Sequence, residues 1–114
     1  MKEHGLKDKH CIPCEGGGAA LDELQRKMFL SQLDSGWLCG AGGHLYKQYE
    51  FKNFKNAMDF ANKIAVIAEQ EKHHPSMVIG WGMCGVEIWT HAINGLSEND
   101  FILAAKIDNA YSEA

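Results

Sequence analysis

The feature that most constrains the fold is an apolar stripe on a predicted helix between Asn53 and Pro75. Apolar residues recur there with the three-and-four spacing of one helix face: Phe54, Ala57, Met58, Ala61, Ile64, Ala65 and Ala68. Asn53 is suited to cap the start of this helix, and a proline disfavours helical backbone in the residue before it. The small residues in the stripe predict close packing against a sheet or another helix.

Strand-like segments flank this helix in two pairs. The predicted strands are residues 36–40 and 44–51 before the helix and 77–81 and 86–91 after it, with turns at 41–43 and 82–85. A further helix is predicted over residues 19–33, with Leu21, Leu24 and Met28 on its apolar face, and a last helix after Ser97. The order α-β-β-α-β-β-α predicts an α+β domain, with three helices packed on one face of a four-stranded antiparallel sheet.

The composition fits one domain of ordinary size. The chain has 114 residues, of which 46% are apolar and 23% charged, and its net charge is -4. Residues 1–18 are polar and then glycine-rich, which predicts a flexible N-terminal arm before a single domain at 19–114. The mild acidity and the scattered basic residues give no general attraction to nucleic acid, and no apolar run is long enough for a membrane span. We therefore expect a soluble cytoplasmic protein without nucleic-acid or membrane partners.

The four cysteines do not form a recognisable zinc motif. Cys11 and Cys14 have C-x-x-C spacing, while Cys39 and Cys84 are isolated. A structural zinc site needs four ligands at matched spacing. His4 and His10 lie near this pair, but a second C-x-x-C is absent, which disfavours structural zinc. In a reducing compartment we expect free thiols.

Three histidines are candidates for chemistry. His73 and His74 lie where the central helix meets the next strand, and His91 lies at the end of the predicted hairpin, which returns it to their vicinity. The sequence leaves three interpretations open: a polar junction whose rings satisfy backbone carbonyls, a zinc site, or metal-free acid–base catalysis. Adjacent residues of extended chain point to opposite sides, which disfavours chelation of one ion by both members of the pair.

Acid–base catalysis suits histidine because it can give and take a proton near neutral pH. The C-terminal end of a helix favours the charged form of a histidine in its last turn. His73 is therefore the candidate donor, and a neutral His74 or His91 is the candidate acceptor. The sequence does not decide which of the three carries the proton.

Taken together, these residues resemble the pterin-4a-carbinolamine dehydratase family. The matching positions are Glu69, His73, His74, Pro75, Trp81, His91 and Asp100, with further similarity at Gly36-Trp37, at 95–100 (GLSEND) and at 11–16 (CIPCEG). The chain departs from the family at Met77, where a tryptophan is common. It departs again around His91, where Trp89 and Ala92 replace a common serine and glutamate.

The resemblance implies an enzyme, a hydro-lyase that dehydrates 4a-hydroxytetrahydropterin to quinonoid dihydropterin without a metal or cofactor. This reaction recycles the tetrahydrobiopterin cofactor of aromatic amino acid hydroxylases. The resemblance also implies a homodimer or homotetramer and, as a pathway partner, an aromatic amino acid hydroxylase. It places His73, His74 and His91 at catalytic and substrate-contacting positions. We expect His73 and His91 to handle protons and His74 to orient the pterin.

Further site residues follow from the same resemblance. The candidate substrate-binding residues are Pro75, Trp81, Trp89 and Thr90, and the supporting residues are Glu69 and Asp100. For the tryptophans, packing or an oligomer interface is the alternative. Asp100 has two open roles, a helix cap and a hydrogen bond that orients His91. The rival function is a non-catalytic protein-binding role, as a transcription coactivator or dimerisation factor or as an assembly chaperone.

Overall fold

The predicted order of helices and strands is confirmed in the computed structural model, which describes residues 5–11, 20–40 and 43–113. The elements within these residues are α1 Glu23–Leu30, β1 Leu38–Cys39, β2 Leu45–Glu50, α2 Phe54–Glu71, β3 Ser76–Gly80, β4 Met83–Ile88 and α3 Glu98–Ser112. Short 3-10 turns span Leu6–Asp8 and His91–Ile93. The α+β class predicted from the sequence is therefore confirmed.

The four strands form one antiparallel sheet in the order β1-β2-β4-β3. β2 pairs with β4 from Leu45 opposite Ile88 to Glu50 opposite Met83. Side chains alternate between the two faces of a strand, and Leu45 and Tyr49 on one face of β2 are almost fully buried. This face carries the core, because α2 packs on β3 and β4 and α3 packs on α2.

The buried face of α2 is rotated from the predicted stripe. The buried apolar residues of this helix are Ala57, Phe60, Ala61, Ile64 and Ala68. Phe54 is 49% exposed, and Ala65 is exposed as well. Phe60 determines the rotation, since its ring packs on Tyr49 and Phe51 with centroid distances of 4.8 and 5.1 Å.

α1 is shorter than predicted and turns a different side to the core. It is capped by Asp22 and ends at Leu30, whereas the sequence predicted residues 19–33. Leu24 and Met28, expected to face the core, are 68% and 59% exposed. The contact is made instead near the end of the helix, where Phe29 stacks on Phe101 of α3 with a centroid distance of 5.3 Å.

The β3–β4 hairpin turns earlier than predicted. Gly80 pairs with Met83, so the turn consists of Trp81 and Gly82 rather than residues 82–85. Gly82 has a φ of +75°, a conformation that favours glycine and reverses the chain at once. As a result β4 ends at Ile88, and His91 begins a 3-10 turn instead of ending a strand.

α2 ends before Pro75 can terminate it. The helix stops at Glu71, and Lys72 adopts a left-handed conformation with φ 55° and ψ 40°. The His73 N–H then donates to the Ala68 carbonyl at 3.2 Å, as in a Schellman motif. His73 was expected at or near the last helical turn, and it lies just beyond the helix.

Part of the predicted N-terminal arm packs on the domain. Leu6 is 4% exposed and belongs to the core, and residues 6–8 contact α3. Lys106 of α3 donates to the Lys7 carbonyl at 2.9 Å, and Lys9 pairs with Glu98 at 2.7 Å. Residues 1–4 and 12–18 of the arm, including Cys14, lie outside the described residues.

Candidate functional site

A cavity of about 570 Å³ opens where the end of α2, the end of β4 and the start of α3 meet. Its volume lies within the range of small-molecule sites, about 300–1,000 Å³. The lining residues are Cys11, Glu71, Lys72, His73, His74, Trp89, Thr90, His91, Ala92 and Asn99. The structure thus brings all three candidate histidines to one cavity.

His73 is held by a buried carboxylate. Its Nε2 lies 2.6 Å from Asp100 Oδ1, and the Asp100 side chain has no exposed surface. A carboxylate can only accept, so Nε2 carries the proton that is donated to it. In a neutral ring, Nδ1 is then the nitrogen left for proton exchange.

Asp100 joins three parts of the chain. Besides His73, its other oxygen accepts the Ser97 backbone N–H and the Thr90 hydroxyl, both at 2.8 Å. Ser97 and Asp100 form the capping box of α3, so the expected cap is present. The ring oriented by Asp100 is that of His73, and not that of His91, because His91 lies on the 3-10 turn after β4.

His74 has an exposed acidic partner. Its Nε2 lies 2.8 Å from Glu69 Oε2, and the side chains are 61% and 77% exposed. Water weakens such a pair, so it contributes little to stability, about 0–1 kcal/mol. The contact fixes an orientation of the His74 ring at the mouth of the cavity.

His91 is supported by an aromatic ring instead of a carboxylate. Its ring packs on Trp89 with a centroid distance of 4.5 Å and an angle of 48°. Thr90, between them in sequence, is buried, and its hydroxyl is committed to Asp100. Trp89 and Thr90 both line the cavity.

Glu71 fastens the N-terminal segment to the cavity wall. Its buried carboxylate accepts hydrogen bonds from the Cys11 N–H at 2.7 Å and from Nδ1 of His10 at 2.9 Å. The ammonium group of Lys106 lies 3.5 Å from the same carboxylate. Burial acts to raise the pKa of Glu71, but the hydrogen bonds from Cys11 and His10 and the charge of Lys106 outweigh it. The pKa therefore lies below its ordinary value.

The Cys11 thiol, which borders the cavity, is neutral. Its burial and the negative charges of Glu71 and Asp100 raise its pKa to about 12. A thiol is a poor nucleophile compared with a thiolate, so this cysteine contributes surface rather than reactivity.

Two predicted substrate-binding residues do not line the cavity. Trp81 lies at the β3–β4 turn, where it is 75% exposed, and Pro75 lies between His74 and β3. The sequence interpretation missed Glu71 and Cys11. Glu71 falls three residues after Ala68 on the buried face of α2. Because a buried carboxylate needs a partner, an acidic residue at this position could have indicated a buried polar contact.

No group of three histidine, cysteine or acidic side chains in residues 5–11, 20–40 and 43–113 is arranged to hold a metal ion. None of the helices in that part of the chain is long and apolar enough to cross a membrane.

Fold and site together define an α+β domain with a cavity bordered by three histidines, one of them fixed by a buried aspartate. The family model that matches residues 19–110 is described as pterin 4 alpha carbinolamine dehydratase. The chain belongs to this family.

Similar proteins carry related names. A protein of Rickettsia canadensis named "Putative pterin-4-alpha-carbinolamine dehydratase" is 60% identical over 104 residues, which cover 91% of this chain and 95% of the relative. The crystal structure of a transcriptional coactivator/pterin dehydratase from Brucella melitensis matches with a TM-score of 0.75 and 30% identity, over 80% of this chain and 97% of the other.

A more distant structure is that of a pterin dehydratase-like protein identified as a RuBisCO assembly factor in the alpha-carboxysome. It matches with a TM-score of 0.57 and 19% identity, over 66% of this chain and 88% of the other. At this identity the likeness is one of fold alone.

Proposed function

We propose that this protein dehydrates 4a-hydroxytetrahydropterin to quinonoid dihydropterin by metal-free histidine catalysis, and so recycles the tetrahydrobiopterin cofactor of aromatic amino acid hydroxylases. The observation that carries the proposal is the cavity with three imidazoles, one of which is oriented by the buried Asp100. Membership of the dehydratase family supports a pterin as the substrate.

The reaction needs one proton delivered and one removed. The hydroxyl on carbon 4a leaves as water when it is protonated, and N5 loses its proton as the double bond between N5 and carbon 4a forms. A positioned acid and a positioned base each contribute on the order of 10²–10⁴-fold. We assign these two roles to His73 and His91, and the orientation of the pterin to His74.

The contacts of the three rings support this division. The His73 ring is held at Nε2 by a carboxylate, which keeps its other nitrogen available for proton exchange. His74 is tethered only by the exposed Glu69, as suits a group that follows a bound ligand. Trp89 and Thr90 supply an apolar and a polar surface next to His91.

The test is a stopped-flow assay with enzymatically generated 4a-hydroxytetrahydropterin, compared with spontaneous dehydration. We expect His73→Ala and His91→Ala each to lower kcat by about 10²-fold or more with the fold intact. Asn62→Ala is the control, because Asn62 is exposed on α2 and does not line the cavity.

Two results would contradict the proposal. If the wild-type protein does not accelerate the dehydration, the proposed reaction is wrong. If both alanine variants turn over normally, the catalytic roles assigned to His73 and His91 are wrong. Elemental analysis of the purified active protein distinguishes the zinc alternative, since a zinc enzyme would contain stoichiometric metal and lose activity with a chelator.

The second candidate is a protein-binding role, favoured by the name of the Brucella melitensis relative and by exposed apolar side chains. Leu38, Val78 and Trp81 are 65%, 67% and 75% exposed. We propose a homodimer or homotetramer, with Trp81 at an interface rather than at the substrate. Analytical ultracentrifugation of wild type and Trp81→Ala tests this assignment, and an unchanged mass would exclude Trp81 from the interface.

A further inference from the structure

His44 makes a contact that its place in the sequence did not indicate. Its ring lies parallel to that of Trp89, with centroids 4.1 Å apart and an angle of 6°. The sheet register explains the meeting. Leu45 pairs with Ile88, so His44 and Trp89 are the next residues outward along the same two strands.

The orientation of the His44 ring is fixed from its edge. Nδ1 lies 2.6 Å from Glu87 Oε2, and Glu87 is on β4, two residues before Trp89. Side chains two residues apart on a strand share a face. Glu87 therefore holds the imidazole flat against the indole.

The same indole is the support of His91. Among the described residues, no hydrogen bond to the His91 ring is found, whereas His73 is bonded to Asp100 at 2.6 Å and His74 to Glu69 at 2.8 Å. The Trp89 ring, 4.5 Å from His91, is thus the contact that determines where this imidazole points.

We propose that His44 is a positioning residue for His91. Held by Glu87, it stacks on Trp89 and fixes the indole against which the His91 ring is oriented. Each of the three cavity histidines then depends on a carboxylate, two of them directly and His91 through Trp89 and His44. The kinetic consequence rests on the proposed dehydratase function, while the geometric consequence does not.

The kinetic test compares His44→Ala with His44→Phe. A misplacement of about 1 Å in a catalytic group can cost on the order of 10²-fold, so we expect His44→Ala to lower kcat about tenfold or more with little change in KM. His44→Phe keeps a flat ring on Trp89, and it should recover most of the loss. Gln48→Ala is the control, because Gln48 lies on the same face of β2 and pairs with Gly85 rather than with Glu87 or Trp89, and it should leave kcat unchanged.

A second measurement does not depend on activity. The ring current of Trp89 displaces the NMR signals of the His91 ring protons, which a His91→Gln variant identifies. In His44→Ala these signals should move toward the positions of a free imidazole, and in His44→Phe they should stay near the wild-type positions. Circular dichroism and thermal unfolding establish that both variants are folded.

The outcomes separate the two hypotheses. Unchanged His91 signals in His44→Ala, or a His44→Phe variant as impaired as His44→Ala, would overturn the positioning role. If the wild-type protein has no dehydratase activity, the proposed function fails, and the NMR comparison still decides whether His44 positions His91.

Discussion

Asp100→Asn tests the arrangement on which the proposed chemistry most depends. The change preserves the shape of the side chain and removes its charge. Asp100 is fully buried and accepts hydrogen bonds from His73 Nε2, the Thr90 hydroxyl and the Ser97 N–H at 2.6–2.8 Å. Each of these contacts is therefore weakened or reversed.

The effect on stability can be estimated from these three bonds. A hydrogen bond to a charged group contributes about 1.5–3 kcal/mol and a neutral one about 0.5–1.5, so each bond loses about 1 kcal/mol. The lower cost of burying a neutral amide returns part of this sum, and we expect a net loss of about 2 kcal/mol. For a domain of this size, that lowers Tm by about 6–10 °C.

The effect on catalysis is larger, because the amide changes the proton on His73. The amide oxygen can take the contacts with Ser97 and Thr90, which turns the NH₂ group toward His73. Nε2 must then accept, and its proton moves to Nδ1. If His73 acts as the base, it loses the free lone pair at Nδ1; if it acts as the acid, it loses the carboxylate that balances its charge. In either role we expect kcat to fall by about 10²–10⁴-fold.

The assay combines urea unfolding with stopped-flow turnover at a temperature where both proteins are folded. Ser97→Ala is the matched control, because it weakens the same helix cap by about 0.5–2 kcal/mol and leaves the contact between Asp100 and His73 in place. It should keep the wild-type kcat. An Asp100→Asn variant that is folded and turns over at the wild-type rate would refute the tautomer argument.

Three further predictions concern stability, each measured by urea unfolding. Asp108→Ala should cost about 3–5 kcal/mol, because it leaves Lys47 buried without the carboxylate 2.9 Å away. Glu71→Gln should destabilise the protein near neutral pH. Because folding lowers the pKa of Glu71, the ionised carboxylate stabilises the folded protein above the ordinary carboxyl pKa. The stability deficit of Glu71→Gln should therefore shrink as the pH falls below that ordinary value and through the lowered pKa. Lys72→Gly should stabilise by about 0.5–1 kcal/mol, because it relieves a left-handed conformation.

Each of these has an outcome that would contradict it. Asp59→Ala breaks an exposed pair with Lys55, worth less than about 1 kcal/mol, and an equal loss in Asp108→Ala would disprove the buried-charge argument. If the stability deficit of Glu71→Gln persists unchanged in acid, the charge of the Glu71 carboxylate is not the source of the stabilisation. A less stable Lys72→Gly would show that the Lys72 side chain contributes more than its backbone conformation costs.

Elements governed by local periodicity were predictable from the sequence. The alternation in β2 and the stripe of α2 reflect burial of one face, and each pattern lies within a short window of chain. The buried charges were not predictable in this way. Lys47 occupies an inward position of β2 and is tolerated because the carboxylate of Asp108, far along the chain, lies 2.9 Å from its ammonium group. The same carboxylate accepts hydrogen bonds from Trp37 and Tyr49 at 2.9 and 2.6 Å.

The proximity of the three candidate histidines was predictable, but which residue holds each ring was not. Their neighbourhood follows from the chain order, whereas the partner of Asp100 depends on where α2 and β4 end. Lys72 in a left-handed conformation places His73 beyond the helix, and the early turn at Gly82 places His91 beyond the strand. The first detail depends on a left-handed conformation that is uncommon for residues other than glycine.

The packing of the N-terminal segment on the domain affects which features of the cavity can be inferred from similar proteins. Cys11 borders the cavity, yet it lies before residue 19, where the family match begins. The family-model match over residues 19–110 therefore covers the sheet and the three histidines but not Cys11, whereas the match to the Rickettsia canadensis relative, over 104 residues, includes this position. Two family members with identical histidines can enclose differently shaped cavities, so substrate preference should be compared between chains that also match in residues 5–11.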